Sequence, residues 1–171
     1  MNIHAEKKPL CFKGLFCAFF LILVLSAGCA TAPHTQRSQF IMVPKSRAVA
    51  MGQEASQKIK KEEPLSEDPA LVNRVQRVGG RIAAHTDSEY EWEFNVVDKD
   101  VLNAFALPGG KVFVYRGLLE IMETDAQLAT VIAHEIAHVI ARHGAERMSI
   151  QLGTALVGQA AGIVLDMSDP T

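Results

Sequence analysis

Residues 125–142 set the hardest condition on any fold this chain can adopt. Leu128, Val131, Ile132, Ala133, Ile136, Val139 and Ile140 make a helix here apolar round most of its circumference, which predicts a buried position. The same helix carries His134, Glu135, His138 and Arg142 on one arc. Each polar group must find a partner in such a place or cost several kcal/mol. Thr124 followed by Gln127 three places on is a capping box, so the helix is expected to open at about Asp125. It is expected to run at least to Arg142, with Gly144 marking its end or a bend.

The spacing within His134-Glu135-Ile136-Ala137-His138 carries chemistry. Residues on a helix turn by about 100° each, so His134 and His138 point within about 40° of one another, about 6 Å apart along the axis. Two imidazoles so placed can bind one tetrahedral zinc ion. Glu135 sits about 100° round from His134, beside such an ion and not on it. That is the place of a general base taking a proton from water in a metallopeptidase. A single core histidine hydrogen-bonded to its neighbours is common; this set of polar groups on one arc is better explained by a metal. His143 is expected to take no part, because a continuous helix points it about 180° away from His134. Glu146 falls about 18 Å along the axis, out of reach unless the helix breaks. Asp166 and Asp169 cannot be placed from the sequence.

The N-terminal segment reads as an address. Lys7, Lys8 and Lys13 precede an uncharged run from Leu15 to Ala27. A basic stretch, a short apolar stretch and then small residues make a secretory signal peptide over residues 1–28. The run is short for a spanning helix, which needs about 20 apolar residues; an uncleaved anchor across a thinned bilayer stays open. The end of the run, Leu25-Ser26-Ala27-Gly28-Cys29, resembles the lipobox of bacterial lipoproteins. That resemblance implies lipid attachment at Cys29, with the alternative of a plain cleavage site. Ala30 in place of Asp after the cysteine points, by the same resemblance, to the outer membrane. Cys11 and Cys17 lie inside the signal, so the mature chain keeps one cysteine and forms neither an internal disulfide nor a cysteine zinc site. Removing the signal takes away three lysines and one glutamate and leaves a modestly acidic body. Neither that body nor the whole chain's net charge of −2 gives a reason to expect nucleic acid as a partner.

Residues 29–47 are polar and mixed and are expected to form a tether, with the folded domain over 48–171. Ala48 to Lys61 reads as a short helix stopped by Glu62-Glu63-Pro64. Asp68 and Pro69 supply an N-cap and a first-turn proline, and Leu71, Val75, Val78 and Ile82 recur at helical spacing. Arg74, Arg77 and Arg81 between them read as a solvated face. Glu91 to Val97 is expected to be a strand. Asn103 to Leu107 and Lys111 to Tyr115 flank Pro108-Gly109-Gly110 and read as a hairpin. A last apolar helix spans about Ile150 to Leu165. Its Gly158 and Gly162 suit close packing in a soluble core better than a membrane contact.

Gly52-Gln53-Glu54, the run Asn103-Ala104-Phe105-Ala106-Leu107-Pro108-Gly109-Gly110-Lys111-Val112-Phe113-Val114-Tyr115, and the His134 to His143 segment together are distinctive. They resemble the zinc metallopeptidases that include HtpX, the CAAX prenyl endopeptidases and the periplasmic lipoprotein proteases BepA and LoiP. The resemblance covers roughly residues 40–150. It implies an α+β, zincin-like metallopeptidase domain, mostly helical, with a small β-sheet or hairpin and a central H-E-x-x-H helix. It implies one zinc ion per chain on His134 and His138, with Glu135 as the catalytic base. It implies that Asn103, Ala104, Phe105 and Ala106 border the cleft and pair with an extended substrate.

The third zinc ligand of that family is a Glu on a later helix. The sequence runs to Thr171, so that part of the domain is expected to be missing. The expected function is zinc-dependent endoproteolysis in envelope protein quality control, lipid-anchored to the outer membrane and facing the periplasm. Its partners would be polypeptides, misfolded outer-membrane proteins among them. The alternative is a catalytically inactive, truncated peptide-binding or chaperone-like lipoprotein of the same fold.

Overall fold

The structure is a computed structural model that describes residues 29–31 and 37–167, with side chains from 37 to 159. The signal peptide expected over residues 1–28 lies outside the described residues. In chain order the elements begin with strands β1 (Cys29–Thr31) and β2 (Ser38–Phe40), then helices α1 (Lys45–Glu62) and α2 (Pro69–Ala83). Strands β3 (Glu93–Val97), β4 (Ala104–Leu107) and β5 (Lys111–Tyr115) follow, and then α3 (Arg116–Glu120), α4 (Asp125–Ile140) and α5 (His143–Met167). The result is a mixed helical fold with a small sheet, as expected.

β3, β5 and β4 form one sheet in that order, with β5 in the middle. β4 and β5 are the expected antiparallel hairpin, with Phe105 opposite Phe113 and Ala106 opposite Val112. β3 runs parallel to β5, pairing Phe94 with Val112 and Val96 with Val114. Val112, Phe113 and Val114 are completely buried, because a central strand is covered on both faces. Alternation along the strands sends Val112 and Val114, with Phe94, Val96, Ala104 and Ala106, into one core with Val75 and Val78 of α2 and Leu128, Ile132 and Ile136 of α4. Phe113 points the other way and stacks on Phe105 with ring centroids 5.2 Å apart.

The turn of the hairpin is fixed from below. Gly109 and Gly110 adopt φ of 91° and 87°, a region open to glycine and strained for other residues. Gly52 of α1 lets the helix backbone press against this turn: a Cβ there would collide with the Pro108 carbonyl oxygen and lie 2.9 Å from its carbon. The glycine of Gly52-Gln53-Glu54 thus seats α1 under the turn.

The helix starts follow their caps. Asp68 accepts a hydrogen bond from the Ala70 amide at 2.8 Å, with Pro69 at the first helical position. At Thr124 both halves of the capping box are present. Of the expected solvated face, Arg77 and Arg81 are exposed and Arg74 is half-buried, but the face is not free of partners: Arg74 and Arg77 both reach Asp125 at the start of α4, at 3.0 and 2.7 Å. Arg74 also donates to the Met122 carbonyl at 2.8 Å.

Before α1 begins, the chain departs from a simple tether. Gln39 is almost completely buried and donates from Nε2 to the Ala141 carbonyl at 2.8 Å. The amides of Met42 and Val43 donate to the hydroxyl of the buried Ser149, at 2.8 and 3.1 Å. Residues 37–43 are therefore a strap laid across the junction between α4 and α5. α5 starts earlier than the expected helix. A Cβ at Gly158 would meet nothing within 4 Å, so Gly158 makes no close packing among the described residues. No helix among them is long and apolar enough to cross a membrane.

Candidate metal centre

Helix α4 carries His134, Glu135 and His138 along its length. Its buried side is Leu128, Ile132, Ile136 and Val139. The opposite side is open: Ala133, His134 and Ala137 are exposed, and Glu135 and His138 are half-buried. The helix is therefore not enclosed all round, as its composition predicted. Its alanines at 133 and 137 are apolar but small, so leaving them in water costs little.

The two imidazoles converge. Their Nε2 atoms lie 3.0 Å apart, with the ring planes at 83° and the centroids 4.5 Å apart. Two nitrogens on one tetrahedral zinc, each about 2.0–2.1 Å from it, stand about 3.3 Å apart. The observed pair fits a shared ion after an adjustment of a few tenths of an ångström. Glu135 stands next to this pair on the helix. Among the described residues no group of three or more His, Cys, Asp or Glu side chains is arranged to hold a metal.

His143 is where the sequence reading is corrected. α4 stops at Ile140, and the Ala141 amide closes the helix by bonding the Ala137 and Val139 carbonyls. Arg142 then adopts φ of 58°, a left-handed conformation uncommon outside glycine and asparagine. α5 starts on the next residue. This break swings His143 back beside His138, with Nδ1 to Nδ1 at 2.5 Å and ring centroids 4.8 Å apart. The 180° separation held only for an unbroken helix. Gly144 signalled an end or a bend nearby, but the helix stops short of the expected Arg142, and nothing about an arginine marks it for the left-handed conformation. Burial, followed by the neighbouring His138, draws the His143 pKa below its ordinary value. Glu146 is engaged elsewhere, pairing with Arg37 at 2.5 Å and accepting from Gln39 at 3.2 Å.

The strand segment divides. Asn103 is exposed and precedes β4. Ala104 and Ala106 face the core and Phe105 the opposite side. β4 is the sheet's edge, with no strand on its outer side among the described residues. It packs against α4. A cavity of about 40 Å³ lies at their meeting point, lined by Ala106, Pro108, His138, Arg142, Lys45 and Tyr90 among others. That is room for about one water molecule. Cys29 lies in β1, paired with Phe40 of β2.

Known proteins share this arrangement of sequence. The model of peptidase family M48 matches residues 69–168. Over 95 residues the chain is 42% identical to the mitochondrial metalloendopeptidase OMA1 of Schizosaccharomyces pombe, covering 55% of this chain and 28% of that one. It is 37% identical over 111 residues to the beta-barrel assembly-enhancing protease of Escherichia coli, covering 63% and 23%. With the OMA1 of Saccharomyces cerevisiae the identity is 35% over 133 residues, covering 69% and 39%. The chain thus spans well under half the length of these relatives. With more than half of its residues matched by the family model, the chain belongs to peptidase family M48.

Proposed function

We propose that this chain carries the catalytic helix of a zinc-dependent metalloendopeptidase in a zincin-like domain. The observation that carries the reading is the approach of the His134 and His138 Nε2 atoms to 3.0 Å on α4, with Glu135 on the same helix and an open strand edge beside it. Both imidazoles would hold the ion. When bound, zinc supplies Lewis-acid polarisation of a carbonyl and makes water easier to deprotonate. Glu135 takes the proton from the attacking water and delivers it to the leaving amine nitrogen as the peptide C–N bond breaks. Asn103 and the outer edge of β4 that follows it, through Ala106, hold an extended peptide by main-chain hydrogen bonds, which bind polypeptide without reading its side chains.

For the cellular setting we propose a periplasmic lipoprotein anchored through Cys29 to the outer membrane, acting on outer-membrane polypeptides. The lipobox-like segment supports the anchor. The likeness to the beta-barrel assembly-enhancing protease supports the substrate class.

Replacing Glu135 by Gln tests the enzymatic reading. The variant is expected to keep its zinc, measured by elemental analysis, and to cleave an unfolded protein substrate at least about a hundredfold more slowly. Equal cleavage rates for the two proteins would overturn the proposal.

A further inference from the structure

We propose that His143 is a positioning residue for the metal ligand His138, accepting the Nδ1–H of that imidazole through its own Nδ1. The inference rests on the zinc reading above and concerns how the ligand is held. A neutral imidazole that binds a metal through Nε2 carries its proton on Nδ1, and a metal-binding histidine almost always gives that proton to an acceptor. His138 turns Nε2 toward His134 and Nδ1 toward His143. The two neighbours therefore meet different nitrogens of the same ring. The acceptor nearest its Nδ1 is the Nδ1 of His143, at 2.5 Å. This assigns His143 the tautomer with its proton on Nε2. The nitrogen it spends on His138 is then not available to the ion.

The backbone holds His143 at this station. The left-handed Arg142 redirects the chain immediately before it. Gln39 grips the break from outside by donating to the Ala141 carbonyl and to Glu146. Arg37 pairs with Glu146 on the next turn. A histidine swung into place by a helix break and pinned by a strap from the far end of the domain is set more rigidly than one on a free surface.

Zinc affinity, measured on the full chain by competition with a fluorescent chelator, tests the proposal with His138→Ala as the reference for a lost ligand. His143→Ala is expected to weaken zinc binding about 10- to 100-fold. His143→Asn, whose amide oxygen takes the place of the imidazole Nδ1 and can accept the same N–H, is expected to recover most of that loss. Unchanged affinity in His143→Ala would overturn the proposal while leaving the zinc reading intact. Loss in His143→Asn as deep as in His138→Ala would overturn it too, by making His143 a ligand. A wild-type chain with no measurable zinc affinity would overturn both. Ring-nitrogen NMR of the cadmium-substituted wild-type protein decides the matter even where a variant fails to fold. The expected spectrum couples the metal to His134 and His138 alone and places the His143 proton on Nε2. A metal coupling at His143, or a proton on its Nδ1, would overturn the assignment.

Discussion

Gly52 stands where a helix meets the carbonyl of Pro108 with no room for a side chain. In Gly52→Ala the added methyl must displace backbone, because the obstructing atoms belong to a turn held by two glycines at positive φ. Overpacking of this kind costs about 1–3 kcal/mol. We expect a lower urea midpoint for Gly52→Ala with an unchanged slope; an unchanged midpoint would mean that α1 gives way freely. The role of Gly52 was half legible. Its motif stood out in the sequence, but its partner lies over fifty positions away and no local pattern links the two. Arg142 was not legible at all. Its left-handed backbone comes from the packing of two helices and a strap, and nothing about an arginine announces it. The sequence therefore pointed to His134, Glu135 and His138 through their spacing and set His143 aside through the same arithmetic.

Among the elements, α2 and α4 are joined by more than their shared core. Asp125 receives Arg77 and Arg74 at the first turn of α4, where a negative side chain also suits the helix dipole. The hydrogen bond from Arg77, followed by that from Arg74, lowers the Asp125 pKa below its ordinary 3.8. A carboxylate with a lowered folded pKa adds stability that is complete above its unfolded value and fades as pH falls through the folded one. Asp125→Asn should therefore lower the urea midpoint at neutral pH, and the gap from wild type should close on acidification below the ordinary carboxylate range. A gap independent of pH would show that the ion pairs contribute nothing. The existence of both helices was readable because caps and periodicity are local. The partner of the arginine series was not, since a row of charges looks the same whether it faces water or a carboxylate on another helix.

For the molecule as a whole, the strap ties the start of the described domain to the junction between α4 and α5. The hydroxyl of Ser149 is buried, receives the amides of Met42 and Val43, and itself donates to the Ala145 carbonyl at 2.7 Å. Ser149→Ala leaves those two amides without their acceptor, and we expect a loss of about 1–3 kcal/mol, read from equilibrium urea unfolding. Hydrogen exchange should show the same variant losing protection at Met42 and Val43 before any residue of β5. Full protection there would mean that the strap is held by other contacts. The strap escaped the sequence reading because polar composition suggests a tether, whereas Gln39 and the two amides find partners a hundred residues away.

That separation sets an order of assembly. The β4–β5 hairpin and the capped start of α4 close over a few residues, whereas the strap closes a loop of 102 to 109 positions. Long closures lag behind local ones. At ribosomal speeds of about 5–20 residues per second, Met42 and Val43 wait roughly 5 to 20 s before Ser149 has been synthesised. His134 and His138 share one continuous helix and come together as soon as it forms. The junction that presents His143 is clamped only when the strap docks, so the imidazole pair is assembled first and its neighbour is locked in place last.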